Sequence, residues 1–265
     1  MSKCGIERRA AGEQKVSTVR INKYFTQQGF CSRRAADQLI EQGRVRLNGR
    51  VAVLGDQVKD GDVVSVDGRV VDRTPPPVYL AYHKPIGVTC TTELDVPGNI
   101  LHAVGYPERI FPIGRLDKDS SGLILLTNDG DVVNRLLRPE FGHEREYVVT
   151  VDHPYEKGFL EKLEQGVRVL GRKTRPCRTR RVDRISFRLT LTEGRNRQIR
   201  RMCLALGYRV KRLVRVRVMH VPLRGLSAGR WRHLSHKERE DLLAAVGLKQ
   251  ATGEGRVSAA AGAGG

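Results

Sequence analysis

Residues 112–130 read PIGRLDKDSSGLILLTNDG. The polar, turn-forming run GRLDKDSSG passes directly into four apolar residues, Leu123 to Leu126, and then into Asn128-Asp129-Gly130. This order predicts loop, buried strand and turn, because a short apolar run bounded by turn residues marks a strand inside a core. Asp117 and Asp119 then stand at the mouth of that strand, where a carboxylate is partly withdrawn from water and can be set against a fixed cation. The ordinary fate of an aspartate in such a loop is to cap a turn, so position alone assigns neither a reaction. Asp117, Asp119, Ser121 and Gly122 also fall at positions one, three, five and six of a helix-loop-helix calcium loop. Position twelve is Asn128 where a bidentate Glu is needed, and the flanks are strand-like, so no calcium is expected.

Working outward, Val78 to Tyr82 is predicted as a strand, His83 to Gly87 as a turn and Val88 to Thr92 as a second strand. Asp131 is placed to open a helix with Val132, Val133, Leu136 and Leu137 on one face. Tyr147 to Val151 reads as a strand, 155–165 as a helix, Phe187 to Leu191 as a strand and Arg197 to Leu206 as a helix, and Val210 to Val218 alternates as a strand. Helices and strands mixed without a strict β-α-β rhythm predict an α+β domain over 79–248, a mostly antiparallel mixed sheet flanked by helices. From Arg172 to Arg217 there are 17 Lys or Arg and two acids, Asp183 and Glu193. A strip that basic needs phosphates opposite it.

Thr74-Pro75-Pro76-Pro77 is a stiff, extended joint, and 74–78 is read as the linker between domains. Before it, over 19–73, Ile21, Tyr24 and Phe25 recur at helical spacing and Gly29 stops the helix. Ser32 is placed to cap a second helix reaching Gln42, with Ala35, Leu39 and Ile40 inward. Val45, Leu47 and Val51, Val53 alternate around Asn48-Gly49, a hairpin signal, and Val63 to Val66 is a further strand. What lies outside this helix-helix-hairpin pattern is basic: Arg20, Lys23, Arg33, Arg34, Arg44, Arg46 and Arg50. Residues 1–18 read as a disordered arm and 249–265 as a disordered, low-complexity tail.

The whole chain has 265 residues, and 48 Lys and Arg against 29 Asp and Glu make a formal charge of +19. A balance that far from zero normally meets a polyanion, with nucleic acid first. No apolar run approaches the roughly 20 residues of a spanning helix, and the first residues lack a signal-peptide core, which points to the cytoplasm and away from a membrane. Five cysteines without a CxxC pair and seven scattered histidines predict neither a disulfide framework nor a metal site. Neither a GxxxxGK[ST] loop nor a GxGxxG fingerprint is present, so no cofactor is expected.

Three stretches, HKPIGV at 83–88, GRLDKDSSGLILLTNDG at 114–130 and GRNRQIRRM at 194–202, with EYVVTV at 146–151, together resemble the pseudouridine synthases of bacterial ribosomal RNA, in the family typified by the small-subunit enzyme. The stretch KYFTQQGFCSRRAADQLIEQGRVRLNG resembles the RNA-binding module named after the fourth small-subunit ribosomal protein, and module, proline joint and catalytic domain follow the family's order. The resemblance runs from about Arg20 to about Leu243, and DKDSSGL, HEREY and NRQIRRMC are most similar to a large-subunit enzyme of the family. It implies that Asp117 is the catalytic aspartate, that Arg200 is its ion-pair partner, and that Tyr147 stacks on or hydrogen-bonds the target base with Ile199 as an apolar wall. Arg115, Lys84 and Arg197 are expected to contact substrate, Lys84 and Pro85 also shaping the turn below the site. Arg33, Arg34 and Arg44 are expected to grip RNA phosphates, reading shape more than sequence. His83 stands where many relatives carry Asn. The implied activity is isomerisation of a uridine in large-subunit ribosomal RNA by a monomer without metal or redox cofactor. Small-subunit RNA or a transfer RNA anticodon stem-loop is the alternative substrate, and a non-catalytic ribosome-assembly factor the alternative class.

Overall fold

In the computed structural model, which describes residues 18–93, 95–138 and 142–248, the chain divides between Pro76 and Pro77 into two units. The arm and tail read over 1–18 and 249–265 lie outside these residues, apart from Thr18, which opens a strand.

The first unit contains β1 (Thr18–Arg20), α1 (Ile21–Gln27), α2 (Arg33–Glu41), β2 (Val45–Leu47), β3 (Arg50–Val51), β4 (Gln57–Lys59), β5 (Val64–Val66) and β6 (Arg69–Val70). Ser32 caps α2, its Oγ accepting from the Ala35 N–H at 3.0 Å. Ala36 and Ile40, four apart on that helix, are the residues that bury. Ala36 replaces the expected Ala35, which sits about 100° off the buried stripe. Asn48 and Gly49 take positive φ (50° and 84°) and turn β2 into β3, as the hairpin signal requires. The alternation expected beyond it fails: Val51 and Val53 are exposed and Ala52 is buried. The chain leaves the ladder after Val51, and the Ala52 N–H bonds back to the Val45 carbonyl. The strands pair as β3-β2-β5-β6 and β1-β4 around a core of Ile21, Phe25, Ala36, Ile40, Val45 and Val64.

In the second unit follow β7 (Tyr79–Lys84), α3 (Ile100–Val104), β8 (Phe111–Pro112), β9 (Ser121–Thr127), α4 (Gly130–Leu136), β10 (Arg145–Val151), α5 (Phe159–Glu164), β11 (Arg168–Val169), β12 (Arg172–Lys173) and β13 (Arg178–Arg181). The unit closes with β14 (Ser186–Leu191), α6 (Gln198–Ala205), β15 (Val210–Val218), β16 (Val221–Pro222), β17 (Trp231–His233) and α7 (His236–Ala245). Its sheet runs β13-β14-β10-β15-β9-β7-β17, antiparallel except where β15 meets β9, so the class is α+β with a mixed, mostly antiparallel sheet. Leu123 to Leu126 are all at most 2 % exposed, because helices cover both faces of β9. One face packs Ile124 and Leu126 with α3, and Val149 and Leu189 with α5 and α6. The other packs Leu123 and Leu125 with α4 and α7.

Three expectations are corrected here. Val88 to Thr92 is not a strand; β9 and β17 already occupy both edges of β7, and Thr89 makes only an isolated bridge to Asn99. Asp129, not Asp131, caps α4, its Oδ1 accepting from the N–H groups of Asp131 and Val132. The helix read over 155–165 starts at Phe159, after Gly158 turns the chain at φ 89°.

Candidate active site

Gly122 is where the second unit's geometry is decided. A Cβ there would lie 2.3 Å from the Arg215 carbonyl oxygen, and its φ is +114°, so only glycine lets β9 approach β15 in parallel at this point. The loop 114–120 therefore emerges beside β15. A bulge in β15 then re-aims two arginines. Tyr147 pairs with Arg215 but Glu146 pairs with Arg217, leaving Val216 as the extra residue. Arg215 consequently turns towards Tyr147 and Arg217 towards the opposite face. Arg215 is buried and donates from Nε to the Leu123 carbonyl at 2.6 Å and from Nη1 to the Arg115 carbonyl at 3.4 Å, which ties loop to strand.

Asp117 opens on a cleft of about 630 Å³ whose walls include Arg115, Arg145, Tyr147, Arg197, Ile199 and Arg215. Ile199 is buried in the first turn of α6 and supplies an apolar wall, while the half-buried Tyr147 bridges two parts of the core. Arg197, in left-handed conformation at the start of α6, forks onto Asp119 with Nη1 to Oδ1 at 3.1 Å and Nη2 to Oδ2 at 2.9 Å. Its Nη1 also stands 4.0 Å from Asp117 Oδ2.

The expected pair of Asp117 with Arg200 is not formed. Arg200 Nη2 donates to the Asp119 carbonyl at 2.9 Å and to Ser120 Oγ at 3.2 Å, and Nη1 donates to the Val210 carbonyl at 3.1 Å. Its Nε lies 3.4 Å from Asp119 Oδ2. The reason is position: one turn further into α6 than Arg197, Arg200 lies below the loop and directs its donors to the Asp119 and Val210 carbonyls and to Ser120 Oγ. The hydrogen bonds from Arg197, reinforced by the charge of Arg200, hold the Asp119 carboxyl below the usual carboxylate range against the opposing effect of partial burial.

Lys84 does not reach the cleft either. It is fully buried, Nζ donating to the carbonyls of Pro85 and Val88 at 2.9 and 2.8 Å, and burial lowers its pKa. It shapes the turn and has no open face for substrate. Arg33 and Arg34 are exposed at the start of α2, whereas Arg44 is engaged by Asp67, Nε to Oδ1 at 3.1 Å. Arg145 and Arg215 are cleft residues that the sequence reading missed. Arg145 sits two residues before Tyr147 on one strand, so strand alternation would have found it. Burial lowers its pKa. Arg215 is visible only through the bulge.

Residues 78–205 match the family described as RNA pseudouridylate synthase, and residues 19–64 match the S4 domain. Over 228 residues the chain is 50% identical to the dual-specificity RNA pseudouridine synthase RluF of Escherichia coli (strain K12), covering 85% of this chain and 79% of that protein. The chain belongs to the RNA pseudouridine synthase family. A second relative, the ribosomal large subunit pseudouridine synthase B of Bacillus subtilis (strain 168), is 39% identical over 234 residues, covering 85% of this chain and 96% of its own. The crystal structure of a pseudouridylate synthase is similar at a TM-score of 0.63 and 30% identity, over 84% of this chain and 99% of that one. This pseudouridine synthase is thus an isomerase built, as its motifs implied, from an S4 module followed by an α+β catalytic domain. Among the described residues no helix is long and apolar enough to cross a membrane.

Proposed function

We propose that the protein converts one uridine of large-subunit ribosomal RNA to pseudouridine, with Asp117 as the reacting carboxylate. In this isomerisation the bond from ribose C1′ to N1 of uracil breaks and a bond from C1′ to C5 forms. The proton on C5 leaves and N1 gains one, so the composition is unchanged and no redox partner is consumed. An aspartate acting on either the sugar or the ring must be ionised. The observation that carries the assignment is the contrast within one loop. Asp119 is tied by a forked hydrogen bond to Arg197, while the Asp117 carboxylate accepts no hydrogen bond among the described residues and faces the cleft, with the Arg197 charge 4.0 Å away. Tyr147 stacks on or hydrogen-bonds the base, Ile199 packs against it, and Arg115 and Arg197 meet the flanking phosphates.

A uridine stacked in a helix cannot present its glycosidic bond, so it is flipped into the cleft at a cost of a few kcal/mol. Phosphate contacts made elsewhere, by Arg33 and Arg34 among others, offset that cost. The target is a loop or bulge, where unstacking is cheapest. Large-subunit RNA is favoured by the relative from Bacillus subtilis, whose name carries that subunit. The dual specificity in the name of the Escherichia coli relative supports a second substrate, small-subunit RNA or a transfer RNA anticodon stem-loop. The protein acts as a cytoplasmic monomer.

The test is a pseudouridine map of total cellular RNA, made with wild-type protein and with Asp117→Asn as the only copy. One or two uridines should lose their modification while RNA binding persists, and turnover in vitro should fall by about 10³-fold or more, the scale on which removal of a transition-state group is felt. An unchanged map in ribosomal and transfer RNA overturns the proposal in favour of a non-catalytic assembly factor.

A further inference from the structure

The basic strip between Arg172 and Arg217 is divided by the fold between two faces of the sheet. Arg175, Arg195, Arg197 and Arg215 line the cleft. On the opposite face, α4 and α7 cover β7 and β9 and their cluster reaches β15 only at Val218, while no core cluster of the described residues extends on this side over β10, β14 and β13. That bare area carries Arg178 and Arg180 on β13, Arg188 on β14, and Arg212 and Arg217 on β15, the cross-strand register placing them on the side of Glu146. Arg224 joins them at its edge, lining a depression of about 460 Å³ with Arg188 and Arg217.

Six arginines thus face two glutamates, and the glutamates act as spacers. Glu146 accepts from Arg188 at 2.7 Å and from Arg217 at 2.9 Å, and Glu144 accepts from Arg217 at 3.1 Å and from Arg178 at 2.5 Å. Burial opposes ionisation of Glu146, but its two arginine hydrogen bonds outweigh it and hold its pKa low. Each guanidinium has five N–H groups, so the bridges fix the arginines and leave donors for a further acceptor. Arg180, Arg212 and Arg224 are exposed and make no ion pair among the described residues. Three interstrand steps of about 4.8 Å separate β13 from β15. The array is therefore about 14 Å wide, and the depression at its edge also takes in Val216, Pro222, Leu223 and Leu226.

We propose that this face is a second RNA-docking surface, which holds the phosphate backbone of a folded segment remote from the target uridine. It rests on the reading that the substrate is a large structured RNA. Charge complementarity selects the occupant: six arginines against two glutamates leave the face strongly positive, and fixed guanidinium forks fit the phosphate oxygens of a nucleic-acid backbone.

The test compares full-length wild-type protein with the combined variant Arg180→Ala, Arg212→Ala, Arg224→Ala, which breaks no ion pair. Binding to a large-subunit ribosomal RNA transcript is measured as a function of salt, and turnover on a short stem-loop carrying the mapped uridine. The variant should lose about 1 from the salt slope for each arginine removed and bind the long transcript at least tenfold more weakly, with stem-loop turnover unchanged. A wild-type slope and affinity on the transcript overturn the proposal, as does a defect seen only with protein-containing ribosomal particles, which would assign the face to a protein. If neither protein turns over the stem-loop, the assignment of function fails, and the slope still decides the docking surface.

Discussion

Asp117 and Asp119, two residues apart, have opposite fates. Asp119 is held ionised by Arg197 and Arg200, and through it both arginines anchor the loop that presents Asp117. Its pKa lies below the ordinary value, so its contribution to stability is present above the unfolded-state pKa of about 3.9 and is lost as pH falls through the lower folded value. Thermal midpoints recorded between about pH 6 and pH 3 should therefore fall less steeply for Asp119→Asn than for wild type. The same variant should retain RNA binding and lose about 10- to 100-fold in kcat, because a looser loop misplaces Asp117 without removing it. Equal acid limbs for the two proteins would show that the fork contributes nothing to the fold.

At the scale of elements, the pairing of β9 with β15 and the bulge in β15 build the site. Gly122→Ala forces a side-chain atom against the Arg215 carbonyl at 2.3 Å, at a φ of +114°. Gly171→Ala, at φ +75° with no atom within 4 Å, meets only the conformational strain. Urea denaturation should show a loss of about 2 kcal/mol or more for the first, and about 1 kcal/mol for the second. The first should also depress turnover, since Arg215 carries the Arg115 carbonyl and with it the loop that holds Asp117. Strict alternation along Val210 to Val218 would have placed Arg215 and Arg217 on one face. The extra residue Val216 separates them, one to the cleft and one to the bare face.

For the whole molecule, a formal charge of +19 makes association with RNA depend strongly on ionic strength. Raising salt from 50 to 200 mM should weaken binding to the ribosomal transcript by about 10³-fold if six or more phosphates are neutralised. Filter binding across that range measures it, and a change below about tenfold would mean that most of the arginines never meet the backbone. Many are already bridged within the protein, as Arg44 is to Asp67 and Arg50 to Asp56. Net charge therefore overstates the number of phosphate contacts.

The amino-acid sequence by itself determined the local features that depend on near neighbours: the buried strand at Leu123 to Leu126, the Ser32 cap, the Asn48-Gly49 turn and the two-domain order of motifs. Each rests on side-chain periodicity or on a backbone conformation that a few residue types favour, and both are written in short stretches of chain. The partners of Asp117 were settled only by tertiary structure, because Arg197 and Arg200 are three residues apart on one helix and nothing local says which guanidinium the loop will meet. The turn-shaping role of Lys84 was legible in its motif, but that its Nζ is closed off from the cleft was decided by the sheet packing over it. The division of the basic strip between two faces likewise depended on a register shift between β10 and β15, strands some 60 residues apart, whose pairing is fixed by packing across the sheet.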